Sequence, residues 1–273
     1  MQQLTCSIVL YNTDRKALQK AISSFLQSEK LLSRLYLIDN SETDDLKSLA
    51  NDERIEYIFN DKNLGYGKAH NIALKKAVEY SKYHLILNPD IEFETGVLEN
   101  IYQYMEEHEG TGLLLPKVFY NDGKLQKLCN LLPRPVNLIG RRFFEKSVWV
   151  KKINDAYELK GFDYNQCLNV PNLSGCFMFL RCEVLKKVGF FDERYFMYME
   201  DVDLCRRIHA VSETIFYPGV SIVHGFEKES YNNARLLKHH IISAIKYFNK
   251  WGWISDPQRD HFNKQLLALL INK

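Results

Sequence analysis

Long hydrophobic runs are missing from this chain of 273 residues, in which no apolar stretch approaches the ~20 residues that cross a bilayer. The segment LTCSIVLYN lies near the start of the sequence and is not preceded by a basic segment followed by an apolar one. This pattern predicts neither a signal peptide nor a membrane span. An excess of one charge is also missing, because 36 Lys and Arg face 34 Asp and Glu. The net charge of +2 gives no support for a nucleic-acid partner.

Patterned cysteines are missing as well. No CxxC pair and no regular spacing occurs, which predicts reduced thiols in a cytosolic protein instead of a zinc site or a disulfide framework. We find no internal repeat and no low-complexity segment. The six cysteines are Cys6, Cys129, Cys167, Cys176, Cys182 and Cys205.

The first 120 residues alternate strand and helix patterns. CSIVLY, RLYLIDN, RIEYIFN and YHLILN are typical of strands, and the segments after the first, third and fourth of them have helical spacing. In the first helix, Leu18, Ile22 and Phe25 share one face, and Thr13 is the predicted N-cap. This order predicts a largely parallel sheet with helices on both faces.

The pattern changes after residue 113. A DG turn between apolar runs predicts a hairpin, and residues 131–170 are irregular, as in an insertion or a substrate loop. GCFMFLR predicts a buried strand, TIFYPGVSIVHG two short strands, and EVLKKVG, EDVDLCRRIHAV and the segment near residues 234–253 predict helices. We expect an α/β half over 1–120, a second half over 121–228 merged with it, and a helical segment over 229–273.

Three predicted strands end on polar residues. In open parallel sheets, ligands bind at the carboxyl ends of the strands. Any single one of these ends is explained by a turn or a helix cap. The series as a whole favours a shared ligand site, formed by Asn12, by Asp39 with Asn40, and by Asn88 with Asp90.

The segment NLGYGKAHN places Gly65 and Gly67 just before a helix. Backbone N–H groups at such a turn bind phosphate, and Lys68 would add positive charge. The segment matches neither a P-loop nor GxGxxG, and a glycine-rich entry into a helix is the alternative interpretation.

Asp90 follows a strand and a proline, a position that suits a ligand of a hard cation. Mg²⁺ or Mn²⁺ needs few protein ligands when a diphosphate and waters supply the others. Asn88 could assist through its amide oxygen. His224, at the end of an apolar strand, is either a hydrogen-bonded structural residue or a further metal ligand.

The segment YMEDVDLCRRI is the densest acidic cluster. A helix beginning near Glu200 places Glu200, Asp203 and Arg207 on one face, with Asp203 and Arg207 as an i,i+4 ion pair. Asp201 points about 100° away and is the residue freest to act as a general base. The alternative is a solvated helix N-terminus whose acids are stabilised by the helix dipole.

In this order, SIVLYN, LIDNSETD, NLGYGKAHN, LILNPDIEF, LSGCFMFLRCEVLKKVGFFDERYFMYMEDVDLCRRI and VHG resemble the inverting family 2 glycosyltransferases. Within them, the chain is similar to the rhamnosyltransferase-like branch of bacterial polysaccharide assembly, over roughly residues 4–226. The resemblance implies an α/β GT-A fold: a Rossmann-like, mostly parallel central sheet flanked by helices, a small antiparallel acceptor-side sheet and C-terminal helices. It also implies that 1–120 is the nucleotide-sugar-binding half and 121–228 the acceptor-binding and catalytic half.

The resemblance also implies roles by position. It implies Asp201 as the catalytic base with Glu200 beside it, and a divalent cation, Mg²⁺ or Mn²⁺, bound by Asp90 and His224. In place of the first acid of the family's DxD element, this chain has Asn88, in an NPD variant common in this branch. The implied acceptor side is Ser174, Gly175 and Cys176, and the expected donor-binding residues are Tyr11, Asn12, Asp39, Asn63, Gly65, Lys68, Asn71, Asn88 and Asp90.

The expected reaction moves a sugar from a nucleotide diphosphate to a saccharide acceptor with inversion. The expected sugar is L-rhamnose from dTDP-L-rhamnose, transferred to an acceptor linked to undecaprenyl diphosphate during O-antigen or capsule biosynthesis. One alternative is a sugar-1-phosphate nucleotidyltransferase, which carries a glycine-rich signature after the first strand where this chain has YNTDRKALQ. The other is a nucleotide- or carbohydrate-binding module without catalysis.

Two segments mix basic and aromatic residues as interfacial segments do, namely 141–152 and 238–253. For each, an ordinary loop or a packed amphipathic helix is the alternative. We expect a cytoplasmic protein in peripheral contact with the inner face of the cell membrane, and a homo-oligomer is left open.

Overall fold

The computed structural model describes residues 2–140, 148–225 and 234–271. The strands are β1 (Gln2–Leu10), β2 (Ser33–Asp39), β3 (Ile55–Phe59), β4 (Ser81–Leu87), β5 (Ile91–Glu92), β6 (Thr111–Phe119), β7 (Cys129–Asn130), β8 (Leu168–Asn169), β9 (Asn172–Leu173), β10 (Phe177–Arg181) and β11 (Glu213–His224). The α-helices are α1 (Arg15–Leu26), α2 (Tyr66–Tyr80), α3 (Val97–Glu107), α4 (Val148–Tyr157), α5 (Cys182–Val188), α6 (Glu200–His209), α7 (Ala234–Trp251) and α8 (Pro257–Ile271). Short turns of other helix types occupy Lys47–Leu49 and Val136–Gly140.

In the described ranges, nine strands form one sheet in the order β3-β2-β1-β4-β10-β6-β11-β5, with β8 added to β11. Strands β1 to β4 are parallel, and β10 runs antiparallel to both of its neighbours, β4 and β6. A separate antiparallel pair joins β7 to β9. The mixed sheet and the small antiparallel sheet confirm the predicted α/β fold class.

Helices α1 and α2 cover opposite faces of the sheet. Phe25 of α1 packs in one apolar cluster with Leu37 of β2, whereas Ala73 of α2 packs in another with Ile38. Successive strand residues point to opposite faces, so these two clusters lie on either side of β2. The N-cap of α1 is Asp14, whose Oδ1 accepts a hydrogen bond from the Ala17 N–H at 2.8 Å, and the prediction of Thr13 was wrong by one residue.

The second half differs from the predicted pattern in three places. The DG turn closes one isolated bridge, Phe119 with Leu125, and β7 pairs with β9 instead of completing a hairpin. Residues 213–224 form one strand, because a register shift between Tyr217 and Ser221 absorbs the Pro-Gly sequence that suggested two. The irregular region 131–170 contains α4 and β8, and its residues 141–147 lie outside the described residues.

The C-terminal helices pack against α6 through buried charges. The Arg206 guanidinium donates to both Asp256 carboxylate oxygens, at 2.6 and 2.5 Å, and lies 4.0 Å from the Trp251 ring centroid. Asp203 accepts from Trp251 Nε1 at 2.8 Å and from Arg207 Nε at 2.9 Å, which confirms the predicted i,i+4 pair. Throughout the described part of the chain, no helix combines the length and apolarity needed to traverse a membrane.

Candidate active site

The polar strand ends lie at one edge of the sheet. Strands β1, β2 and β4 are parallel, so the residues after Leu10, Asp39 and Leu87 share that edge. Because β10 is antiparallel, its beginning meets the end of β4, and the Asn88 N–H donates to the Cys176 carbonyl oxygen at 2.9 Å. The sheet therefore joins the predicted donor side to the predicted acceptor side.

Asp90 and His224 meet although they lie far apart in sequence. His224 ends β11 opposite Ile91, and its Nε2 lies 3.4 Å from Asp90 Oδ1 and 3.4 Å from Asn88 Nδ2. On the other side of the ring, Nδ1 lies 3.1 Å from Gln126 Oε1, while Gln126 Nε2 donates to the His224 carbonyl. Gln126 thus fixes the orientation of the imidazole.

The charge state of His224 follows from its neighbours. Burial lowers the pKa of this ring, but hydrogen bonds with Asp90 and Cys176 outweigh that effect and raise its pKa to about 10. A metal ion bound to Nε2 would have to displace this proton, as metal binding at histidine generally does.

The residues at this edge suit a divalent cation that shares its ligands with substrate. A search of the described residues finds no cluster of three or more His, Cys, Asp or Glu that could hold a metal by itself. One carboxylate oxygen and one imidazole nitrogen lie 3.4 Å apart, however, and Asp90 is about one-third exposed. Mg²⁺ and Mn²⁺ are commonly bound by one or two protein ligands together with phosphate oxygens and waters.

Glu200 and Asp201 form a second acidic site at the beginning of α6. Asp201 Oδ2 accepts from the Gly175 N–H at 3.1 Å, and its Oδ1 accepts from the Val202 N–H at 2.9 Å. Glu200 is buried, and its Oε2 has no hydrogen-bond partner among the described residues. The preceding residues Tyr198 and Met199 have φ of 67° and 68°, a conformation that non-glycine residues adopt at a cost in strain.

The two carboxyls differ in their expected protonation. Burial and the neighbouring Asp201 charge raise the pKa of Glu200 to about 8. Burial also raises the pKa of Asp201, and hydrogen bonds from the Val202 and Gly175 N–H groups offset part of that rise. Two adjacent buried carboxyls do not readily ionise together, so Glu200 keeps the proton and Asp201 is the one available as a base.

Asp39 is fully buried at the end of β2. Its Oδ1 accepts from the Ser41 N–H at 2.8 Å and its Oδ2 from the Tyr57 hydroxyl at 2.5 Å. Ser41 Oγ in turn accepts from the Asn12 N–H at 3.1 Å, where Asn12 has φ of 49°. Asp39 therefore shapes the loops at this edge, and its contact with a nucleotide base stays a prediction.

The glycine-rich turn is built around Gly65. Gly65 has φ of 85°, and a Cβ there would lie 2.2 Å from the Phe196 carbonyl oxygen, so this position requires glycine. Asn63 Oδ1 accepts from the Gly65 N–H at 2.9 Å, and Asn40 Nδ2 donates to the Gly65 carbonyl at 3.3 Å. These contacts tie the end of β2 to the beginning of α2.

Two other predicted donor residues make contacts with the segment before α6. Asn71 is buried and exchanges hydrogen bonds with the Phe191 carbonyl and N–H at 2.9 and 3.1 Å. Lys68 is half exposed and lies 3.8 Å from Glu193. Asn71 thus holds the 191–193 segment in place, and direct contacts of either residue with a donor stay predictions.

The remaining predicted residues line the same edge. Tyr11 is 41% exposed just after β1, where a planar ligand could stack on it. Gly175 contacts Asp201, Ser174 Oγ accepts from the Cys176 N–H at 3.4 Å, and Cys176 is buried beside His224. Their role towards an acceptor stays a prediction.

Sequence reasoning missed three residues that hold this edge together, Gln126, Tyr57 and Tyr66. Gln126 follows the DG turn, and no local pattern connects it with His224, 98 residues away. In the sequence, Tyr57 and Tyr66 resemble ordinary core aromatics. Only their positions, near a strand end and at a glycine-rich turn, could have indicated that their hydroxyl groups help to shape the site.

Comparison with known proteins assigns this chain to a family. The family model described as glycosyl transferase family 2 matches residues 5–189, a range that includes Asp90 and Gly175 but ends before Glu200 and His224. The chain is 26% identical to an N-acetylglucosaminyl-diphospho-decaprenol L-rhamnosyltransferase of Mycobacterium tuberculosis over 253 residues, covering 86% of this chain and 80% of that protein. It is also 26% identical to rhamnosyltransferase WbbL of Escherichia coli over 208 residues, covering 73% and 75%.

Among solved structures, the fold is similar to GalNAc-T7 crystallised with UDP, GalNAc and Mn²⁺. The TM-score is 0.66 at 13% sequence identity, over 96% of this chain and 50% of that one. The chain thus spans about half the length of that enzyme, and the likeness supports the GT-A fold alone.

Proposed function

The chain belongs to glycosyl transferase family 2 and is a glycosyltransferase, and we propose that it is an inverting, metal-assisted L-rhamnosyltransferase that uses dTDP-L-rhamnose. The proposed acceptor is a saccharide on a polyprenyl diphosphate such as undecaprenyl diphosphate, in the assembly of a surface polysaccharide such as O-antigen or capsule. The names of two relatives, both rhamnosyltransferases and one acting on a diphospho-decaprenol, support the sugar and the lipid. Membership of this family removes the reason to consider a sugar-1-phosphate nucleotidyltransferase.

The proposed chemistry is a single displacement. Asp201 takes the proton of an acceptor hydroxyl while that oxygen forms a bond to the anomeric carbon of the donor. The bond between this carbon and the diphosphate oxygen breaks, its electron pair leaves with the nucleotide diphosphate, and the configuration at carbon is inverted. A divalent cation bound by Asp90 and His224 would supply positive charge to the departing diphosphate.

The observation that carries this proposal is the pairing of two unlike acidic sites at one sheet edge. Asp201 accepts two backbone hydrogen bonds at 3.1 and 2.9 Å, which orient its carboxylate, and the protonated Glu200 leaves it as the ionised member. Asp90 and His224 meet where the chain that leaves β4 reaches the end of β11, at the same edge of the sheet. A base and a site for a leaving diphosphate are thus available together.

The test combines a donor screen with a substitution. Purified protein is assayed for transfer from dTDP-L-rhamnose and from UDP- and GDP-sugars to a polyprenyl-diphosphate saccharide, with Mg²⁺, Mn²⁺ or a chelator. Asp201→Asn should lower the rate by about 10²–10⁴-fold while donor affinity, measured by calorimetry, stays within about twofold. Normal turnover of Asp201→Asn would remove it as the base, transfer only from other nucleotide sugars would refute rhamnose, and full activity with chelator would refute the metal.

Contact with a membrane surface belongs to the same proposal, together with a cytoplasmic location. Ile241, Ile242 and Ile245 are exposed on one side of α7, and Val148 and Trp149 are exposed on α4. The screen is therefore repeated with the acceptor in anionic vesicles that are then sedimented. Absence of the protein from the vesicle pellet at low salt would contradict the membrane contact and leave the reaction untouched.

A further inference from the structure

Tyr66 lies between the donor side and the acceptor side of the candidate active site. It is the first residue of α2, and its hydroxyl donates a hydrogen bond to the Gly175 carbonyl oxygen at 2.8 Å. The same hydroxyl oxygen lies 3.1 Å from Asn88 Oδ1. One phenol group therefore joins the turn that holds Asp201 to the side chain two residues before Asp90.

The single proton of this hydroxyl determines how the contacts are shared. A tyrosine hydroxyl donates one hydrogen bond and accepts others, and the shorter contact assigns the proton to the Gly175 carbonyl. Half a turn of the Asn88 amide brings its nitrogen to the Tyr66 oxygen, which can then accept a hydrogen bond from Asn88. Tyr66 then accepts from one side of the site and donates to the other.

The ring of Tyr66 has little freedom to move. It packs edge-to-face on His70, with 4.5 Å between ring centroids, and lies 6.1 Å from the Phe191 ring. His70 is itself fixed from β1, because its Nδ1 lies 2.7 Å from the Ser7 Oγ. The ring is thus held in place by His70 and Phe191, which lie outside the two segments that the hydroxyl connects.

Gly175 connects the Tyr66 hydroxyl with Asp201, the proposed base. Its carbonyl oxygen is bound by Tyr66, and its N–H donates to Asp201 Oδ2 at 3.1 Å. A Cβ at Gly175 would lie 2.9 Å from the Asp201 Cβ, so the Gly175 backbone already lies close against the Asp201 side chain. Any tilt of Gly175 must therefore move the Asp201 carboxylate.

We propose that Tyr66 is a positioning residue, whose hydroxyl holds Gly175 and Asn88 so that the Asp201 carboxylate faces the donor held near Asp90. This role rests on the proposed function, because it acts through Asp201 as the base. The hydroxyl contacts no reacting atom, and its effect is on the distance between the base and the reacting centre. Misplacement by about 1 Å in such sites lowers rates by about 100-fold.

The test compares Tyr66→Phe with a matched control, Tyr164→Phe. Tyr164 is also buried, and its hydroxyl accepts a backbone hydrogen bond from Cys129 at 3.1 Å, so both variants lose one buried, hydrogen-bonded hydroxyl group. Tyr66→Phe should lower kcat for transfer by about 10–100-fold, with the donor KM within about twofold. Tyr164→Phe should keep the wild-type kcat, and the ratio of transfer to donor hydrolysis should fall for Tyr66→Phe alone.

A double mutant separates this role from a general structural one. If the hydroxyl acts through Asp201, adding Tyr66→Phe to Asp201→Asn should lower the residual rate by less than about twofold. Equal losses in Tyr66→Phe and Tyr164→Phe, or a loss that lies only in donor KM, would overturn the role of Tyr66. Normal turnover of Asp201→Asn would instead overturn the proposed base, and all variants are assayed with whichever donor the wild type uses.

Discussion

Helix α6 carries two groups of buried charges that differ in how they are paired. At its beginning, Glu200 and Asp201 lie next to each other, and Glu200 Oε2 has no partner among the described residues. Farther along the same helix, Asp203 and Arg206 are bound by groups from α7 and the segment that follows it, with Arg206 in a two-point contact with Asp256.

This difference shows that burial alone does not determine the pKa of a carboxyl group. Asp203 is fully buried, yet Arg207, Lys250 and Trp251 all donate to it, so its negative charge is compensated. Glu200 is almost as buried and lacks such compensation, and the pKa of Glu200 is therefore raised to about 8. Glu200, at the beginning of α6, can therefore exchange a proton near neutral pH, whereas Asp203 and Arg206 hold the helix in place.

Breaking the buried pair of Arg206 and Asp256 should have the largest effect on stability. Asp256→Asn leaves Arg206 buried without its carboxylate, and we expect the free energy of unfolding to fall by about 3–5 kcal/mol. Chemical denaturation measures this change. Asp122→Asn, which removes an exposed pair with Lys124, serves as the control and should leave the unfolding curve unchanged. Equal stability of Asp256→Asn and the wild type would show that α6 does not depend on this pair.

Glu200, which has no compensating cation among the described residues, should instead affect how stability depends on pH. Because the pKa of Glu200 in the folded protein is raised to about 8, its contribution is fully present below its ordinary range near 4.5 and is lost as pH rises towards 8. Within that window the contribution falls by about 1.4 kcal/mol per pH unit. Glu200→Gln should remove this slope when unfolding is followed between pH 5 and pH 8.

The control for that measurement is Glu183→Gln, which changes a glutamate whose side chain is two-thirds exposed on α5. Its lysine partner lowers the pKa of Glu183, so the contribution of Glu183 changes only below the window. An unchanged slope in Glu200→Gln would mean that Glu200 is ionised in the folded protein.

A smaller effect is expected at Trp251. Trp251→Phe removes the Nε1–H hydrogen bond to Asp203 but keeps an aromatic ring beside Arg206 and leaves Arg207 and Lys250 on the carboxylate. Loss of one hydrogen bond among several should lower the free energy of unfolding by about 1 kcal/mol. Thermal unfolding and kcat are both measured, and a kcat within about twofold of the wild type is expected.

A fall in kcat of Trp251→Phe by tenfold or more would contradict the separation of the two groups. It would mean that the compensated end of α6 also determines where Asp201 lies.

Much of the fold and part of the site follow from local sequence patterns. The strand ends at Asp39 and Asn88 could be placed because periodicity and turn residues are local signals, and parallel order then assigns them to one edge. The Asp203–Arg207 pair followed from helix spacing in the same way. The error of one residue between Thr13 and Asp14 reflects two adjacent residues that are both good caps.

Long-range pairing could not be obtained in this way. Nothing near GCFMFLR indicates that this strand enters the sheet between β4 and β6, although that position brings Cys176 next to Asn88. The contact of Gln126 with His224 likewise depends on where two distant segments meet. Tyr66 was missed because its function depends on a hydroxyl whose partners lie 22 and 109 residues away.

The central position of β10 also affects how the protein is made. Strands β4 and β6 are complete by residue 119, but the strand that joins them ends only at Arg181. At ribosomal speeds of about 5–20 residues per second, the edges of β4 and β6 that pair with β10 stay unpaired for roughly 3–12 s. Such edges readily pair with other chains, so we expect the yield of folded protein to respond to translation speed and chaperone supply. The nascent chain therefore has to avoid aggregation during its synthesis before Asn88 and Cys176 can meet.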